Sequence, residues 1–136
     1  MSLVLDPSLT LCWYFEDERT AAADAVLDQV VDSGAVVPAL WRIEVLNAFQ
    51  TAIRRKRIDA VFRDMALGRL TVMPIAVDPD TDTHTWTTTR DLADRFRLTA
   101  YDAVYLELAQ RRGLPLATLD QDLRTAGTAL GVALLG

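Results

Sequence analysis

The sequence predicts a three-layer α/β/α sandwich around a central parallel sheet of four to five strands. Short apolar runs alternate along the chain with longer stretches of helical period. No two consecutive runs are joined by the tight Gly- or Asn-containing turns of a hairpin. Strands separated by helices pair in parallel, and a parallel sheet has both faces covered. The length, 136 residues, holds this to one domain spanning residues 1–136.

The elements follow in order. "LVL" (3–5) is a short strand ending at Asp6-Pro7, an N-cap and a first-turn proline. A helix runs through Phe15. A second covers residues 18–32, with Ala22, Val26, Leu27 and Val30 on one face, and Gly34 stops it. "AVVP" (35–38) is the second strand. Residues 40–56 form a long helix with Ile43, Leu46, Phe49 and Ile53 as its apolar stripe. Residues 58–67 continue as helix, and "LTVMPIAV" (70–77) is a third strand interrupted by Pro74. A polar helix starts at Asp80 or Thr81 and runs to about Phe96, with His84 on its surface. Thr99 opens the next helix and Gly113 closes it. "LPLATL" (114–119) is the fourth strand, residues 121–127 a short helix, and "VALL" (132–135) the fifth strand.

At 51% hydrophobic and 24% charged residues the chain can bury a core, which excludes disorder. Its apolar runs fall well short of the roughly 20 residues that cross a membrane. The N-terminus has no basic region before its apolar stretch and carries Asp6, unlike a secretory signal. The single cysteine, Cys12, makes no internal disulfide, and a cytoplasmic location is expected.

A net charge of −5 argues against a nucleic-acid partner, but the basic residues are unevenly placed. All but Lys56 are arginine, and Arg54, Arg55, Lys56 and Arg57 form a tight knot. Guanidinium forks suit phosphate, though the same knot also reads as a solvated helix C-terminus that favours the helix dipole.

The acids are placed more tellingly. Parallel α/β sheets bind ligands at the carboxyl ends of their strands. Asp6 ends the first strand, Asp120 ends the fourth, and Asp102 opens a helix among apolar neighbours in "LTAYDAVYLELA". Glu44 lies one turn into the helix after the second strand, with Asn47 three residues on along the same side. Each has a local reading as well. Asp6 and Asp120 fit N-caps, Asp102 fits the third position of a capping box opened by Thr99, and Glu44 fits a solvent-facing site. One functional reading covers all four: converging carboxylates repel and require a counter-charge. With no Cys/His set to compete, oxygen ligation selects Mg²⁺, with Mn²⁺ able to substitute.

In this order and spacing, "VLDPS", "PALWRIEVLNAF", "LTAYDAVYLELA" and "LPLATLDQDL" resemble the PIN-domain family over essentially the whole chain. Within the family the resemblance is to the VapC-type toxins of bacterial toxin–antitoxin modules. It implies a metal-dependent endoribonuclease whose acidic quartet is Asp6, Glu44, Asp102 and Asp120. By the same resemblance Asp6, Asp102 and Asp120 hold the metal, while Glu44 ligates it or orients the water. Ser8, Asn47 and Thr118 support the site, and Asp122 is a possible extra acid. Pro7 departs from the pattern without removing a ligand. Arg42 and the knot (Arg54, Arg55, Lys56, Arg57) become candidates for RNA backbone contacts.

The implied partners are an antitoxin protein and a second copy of the chain in a homodimer. Trp41, Phe62 and Trp86 are candidate exposed anchors, each equally suited to core packing. The rival readings are a non-toxin PIN nuclease and a catalytically weak or inactive binding module of the same fold. A phosphorelay receiver needs a lysine at a strand end, and Lys56 lies in a helix-end run. A haloacid-dehalogenase-like phosphatase needs an aspartate two residues after Asp6, where Ser8 stands.

Overall fold

A computed structural model describes residues 2–136. Five strands form one parallel sheet: β1 (Leu3–Leu5), β2 (Ala35–Val37), β3 (Ile75–Val77), β4 (Leu116–Ala117) and β5 (Leu134–Leu135). Their spatial order is β3-β2-β1-β4-β5. Val4 is the pivot, in register with Val36 on one side and Leu116 on the other. All of β1 is fully buried, as expected for a central strand covered on both faces. The strand order was not readable from the sequence, and it fixes where a ligand belongs. The chain leaves β1 towards β2 and β3, then returns to pair β4 on the opposite side. The crevice beyond the carboxyl ends of β1 and β4 is therefore the topological switch point.

The helices are α1 (Pro7–Cys12), α2 (Ala21–Ser33), α3 (Trp41–Arg54), α4 (Ala60–Thr71), α5 (Thr81–His84), α6 (Arg90–Phe96), α7 (Ala100–Arg112) and α8 (Gln121–Leu130). Helix α7 is buried nearly all round from Ala103 to Ala109 and packs against β1 and β4. No helix among the described residues is long and apolar enough to cross a membrane.

Several boundaries differ from the sequence reading, for identifiable reasons. Helix α1 stops at Cys12 instead of Phe15, and a 3₁₀ turn (Glu16–Glu18) follows. Thr20 caps α2 by accepting from Ala23 N at 3.0 Å, which moves its start to Ala21. The buried face of α2 is Ala23, Val26 and Val30, with Leu27 half-buried and Ala22 exposed. Helix α3 buries Trp41, Val45, Phe49 and Ala52, leaving Ile43 70% exposed. Two stripes compete on that helix, and the one carrying Trp41 as well as Phe49 buries more surface. Helix α4 runs on through Thr71, so residues 70–72 are its last turn, and Pro74 precedes β3 instead of interrupting it.

The polar helix does extend from Thr81 to Phe96, but its middle, Thr85–Thr89, is a π-helical turn. Helix α8 passes through Gly127, where the reading ended it, and closes at Gly131 with φ 74°. A Cβ on Gly127 would lie 2.9 Å from Leu134 Cδ2, so this glycine serves the close approach of α8 to β5. Trp41 and Phe62 are buried and half-buried, which removes Trp41 as an exposed anchor, whereas Trp86 is 85% exposed. His84 is half-buried, its Nδ1 3.9 Å from Glu107 Oε1.

Candidate active site

Asp6 leaves β1 directly into the switch-point crevice and is 5% exposed. One oxygen, Oδ2, accepts from Ser8 N at 3.2 Å, from the Ser8 hydroxyl, and from Thr118 Oγ1 at 3.1 Å. The two hydroxyls are themselves 3.3 Å apart. Ser8 Oγ also accepts from Leu119 N, and Thr118 Oγ1 from Asp120 N, both at 3.0 Å. Ser8 and Thr118 thus stitch the outlet of β1 to the outlet of β4. Asp6 is the N-cap of α1 through Oδ2, and no hydrogen bond engages Oδ1 among the described residues. Capping and ligation are not exclusive here, because they use different oxygens.

Asp120 caps α8 through Oδ1, which accepts from Leu123 N at 2.9 Å. Thr99 caps α7 by accepting from Asp102 N at 3.1 Å, so Asp102 does occupy the capping-box position. Glu44 is half-buried on α3, and its Oε1 accepts from Tyr105 Oη at 2.5 Å. In the sequence Tyr105 is one of the apolar neighbours of Asp102 in "LTAYDAVYLELA". It is fully buried, yet its hydroxyl fixes a site carboxylate 61 residues away. No local signal could reveal that contact.

The electrostatics tie the acids together. Burial pushes the Asp6 carboxyl up to about 6 from 3.8, against its three hydrogen bonds and with help from the charge of Asp102. Burial raises Glu44 too; the Tyr105 bond opposes this, and the charges of Asp6 and Asp102 add to it. Asp102 is raised by burial and then by Asp120, with Asp122 adding and Thr99 opposing. All five acids therefore share one neighbourhood at the carboxyl edge of the sheet. No ion pair among the described residues involves any of them. They are hard oxygen donors with no cation, which suits a divalent ion in charge and in ligand type. No three His, Cys, Asp or Glu residues among those described already stand at metal-holding spacing. An open set of this kind is compatible with Mg²⁺, which is usually bound by one or two carboxylates and keeps several waters.

The remaining residues separate. Asn47 is exposed, and no hydrogen bond joins it to the cluster. Arg42 lines an apolar cavity with Trp41 and Val77, and none of the acids lines it. A groove of about 430 Å³ runs between Ser8 and Asp120 on one side and Arg55 and Arg57 on the other. Arg57 is already engaged, ion-paired to Asp17 and Glu18 at 3.2 Å and stacked 4.2 Å over the Phe15 ring. Arg54 bonds Thr51, and Lys56 is exposed with φ 60°. Arg55, exposed and without an ion pair among the described residues, is the uncommitted knot residue that the groove shares with Asp120.

Tyr105→Phe removes the hydrogen bond that holds the Glu44 carboxyl down, so its pKa is expected to rise. If Glu44 acts as a base, the acid limb of the pH–rate profile then moves to higher pH, with the plateau rate largely kept. An unmoved limb would show that Glu44 takes no proton.

The profile of the PIN domain matches residues 3–128. Among solved structures, PAE2754 from Pyrobaculum aerophilum superposes with a TM-score of 0.68 at 22% identity, over 96% of this chain and 93% of that one. FitAcB from Neisseria gonorrhoeae superposes with a TM-score of 0.65 at 17% identity, over 100% of this chain and 97% of that one. At these identities the likeness speaks for the fold. No curated protein matches.

Proposed function

The chain belongs to the PIN-domain family, and we propose that it is a Mg²⁺-dependent endoribonuclease, the toxin of a toxin–antitoxin pair. One observation carries the reading: four further acids lie within electrostatic reach of Asp102, none of the five has an ion pair among the described residues, and burial raises three of them. A site built for packing or capping alone has no reason to accumulate uncompensated charge.

Asp6, whose Oδ1 is unengaged, would hold the ion with Asp102 and Asp120, directly or through the waters that Mg²⁺ keeps. Bound there, the ion supplies the positive charge that polarises a phosphate and acidifies water. Glu44 orients the attacking water and takes its proton, a task suited to a carboxylate more basic than usual. Tyr105 keeps Glu44 in place, and burial keeps the phenol protonated, so it donates. Ser8 and Thr118 lock Asp6. Asp122 adds negative charge at the rim, felt by Asp102. The only lysine and the only histidine, Lys56 and His84, lie outside the cluster, which leaves proton transfer to carboxylates.

The groove that links Asp120 to Arg55 offers the RNA backbone a path. A negatively charged chain with an acidic crevice suits a basic antitoxin segment, and exposed Trp86 offers an apolar anchor for that partner or for a second copy. Purified protein is expected to cut RNA in Mg²⁺ or Mn²⁺ and to stop when chelator is added. Produced alone in a bacterial host, it is expected to arrest growth. Cleavage that survives chelation would overturn the mechanism. Cleavage without growth arrest would favour a nuclease that is not a toxin.

A further inference from the structure

Beside the acids lies a second feature that the proposed chemistry does not use. A cavity of about 330 Å³ is lined by Ala39, Leu40, Thr81, Asp82, Thr85 and Tyr101. This is within the usual size range of small-molecule clefts, roughly 300–1,000 Å³. Its lining shares the start of α3 and the first turn of α7 with Glu44 and Asp102. Tyr101 immediately precedes Asp102, and Leu40 O accepts from Glu44 N at 3.0 Å, one helical turn before the glutamate side chain.

Tyr101 is 64% exposed, although Tyr105 one turn later is fully buried. Its ring therefore offers a free aromatic face on the wall of the cavity. The cavity's threonine hydroxyls are already committed. Thr81 Oγ1 accepts from Ala39 N and donates to Asp78, and Thr85 Oγ1 donates to Thr81 O. Asp82 differs: it is exposed, and no ion pair or side-chain hydrogen bond engages its carboxylate among the described residues. The cavity thus presents a ring face, aliphatic walls and one free acceptor pair. A phosphate would be repelled by that carboxylate.

We propose that this slot binds a guanine base of the RNA substrate, stacked on Tyr101 and read by Asp82; the proposal rests on the ribonuclease reading above. Single-stranded RNA is recognised through unstacked bases that lie on aromatic side chains and pair along their edges. A carboxylate accepts two parallel hydrogen bonds. Guanine alone among the four bases carries two adjacent donors, N1–H and the N2 amine, on its Watson–Crick edge. Adenine, cytosine and uracil each place an acceptor where the second donor is needed. The slot shares α7 and the start of α3 with Asp102 and Glu44, so a guanine held there sets the sequence that is cut.

The test measures binding of labelled UUGU, UUAU, UUCU and UUUU tetranucleotides, with Ca²⁺ in place of Mg²⁺ to separate binding from cleavage. The wild type is expected to bind UUGU at least tenfold more tightly than the others. Tyr101→Ala should weaken UUGU roughly tenfold or more, in line with the loss of one stacked base. Tyr101→Phe, which keeps the ring, should restore it. Asp82→Asn should lower UUGU to the level of UUUU and leave UUUU unchanged, which a merely structural role would not do. Equal binding of the four by the wild type, or a guanine preference that survives Asp82→Asn, overturns the slot. If the wild type binds none of the four and cuts no RNA, the ribonuclease reading falls and this proposal with it. RNA cleavage whose sequence pattern is the same in wild type and both variants overturns the slot alone.

Discussion

Asp6→Asn is expected to lower RNA cleavage by at least about a hundredfold, the usual scale for removing one preorganised charge contact at a reacting centre. Asparagine keeps the shape of the site. Its carbonyl oxygen can accept the three bonds now made to Oδ2, from Ser8 N, Ser8 Oγ and Thr118 Oγ1. What it cannot supply is a charge at Oδ1. The metal-free variant should also be the more stable protein. The carboxyl's folded value of about 6 lies above its ordinary 3.8, so the folded state holds the proton more tightly than the unfolded one. Stability of the metal-free wild type therefore falls as pH rises from about 4 to about 6. The accumulated cost at neutral pH is on the order of 3 kcal/mol. Asparagine carries no such slope. Cleavage within tenfold of wild type, or a pH dependence of stability equal to the wild type's, would remove Asp6 from the site.

The second large effect is structural. Asp78 and Glu107 have side chains 1% and 3% exposed, and Arg111 joins them at 2.6 Å and 2.7 Å. Burial alone would raise the Asp78 carboxyl. The hydrogen bond and charge of Arg111, with the hydroxyl of Thr81, more than offset that and leave it below its ordinary value. Stability from this group is thus present above 3.8 and lost as pH falls through the depressed folded value. Arg111→Ala would leave two buried carboxylates without their shared guanidinium, with Arg112 3.8 Å from Asp78 and His84 3.9 Å from Glu107 as the basic groups that remain nearby. Breaking a buried pair in this way costs about 3–5 kcal/mol. In a chain of this size that lowers the melting temperature by roughly 10–17 °C. Arg111→Lys should recover only part, because one ammonium cannot serve both carboxylates as a guanidinium fork does. A loss below about 1 kcal/mol in Arg111→Ala would show that the network holds nothing.

The division between what the sequence shows and what it hides follows from contact range. Asp6 after "LVL" and Asp120 after "LPLATL" are local facts: a strand ends and an acid caps the next helix. The fold class is equally local, because alternating periods are written residue by residue. The phase of α3 was misread because two apolar stripes compete on it, and burial of Trp41 and Phe49 selects one. The π turn falls in "TWTTT", where threonine-rich sequence gives no period. Tyr105 on Glu44, and Arg111 on Asp78 33 residues away, depend on how helices cross the sheet. Strand order decides that, and no local pattern encodes it. The same limit separates Arg55 from the rest of the basic knot. Four adjacent basic residues look alike in sequence, and only the fold directs Arg57 to Asp17 and Glu18.

The central claim is that the acids form a cation site, and Asp102 tests it most directly because its position also fits a simple helix-start acid. The measurement is a set of thermal scans of wild type and Asp102→Asn at neutral pH, each with and without Mg²⁺. Burial and then neighbouring charge disfavour the ionised Asp102 in the folded chain, whereas the helix dipole favours it by only about 0.3–1 kcal/mol. The account predicts that metal-free Asp102→Asn melts above metal-free wild type. It also predicts that Mg²⁺ raises the wild type but raises the variant much less, since a ligand stabilises only in proportion to its binding. A variant that melts lower than wild type and keeps the full response to Mg²⁺ would contradict the account and leave Asp102 as a helix-start residue alone.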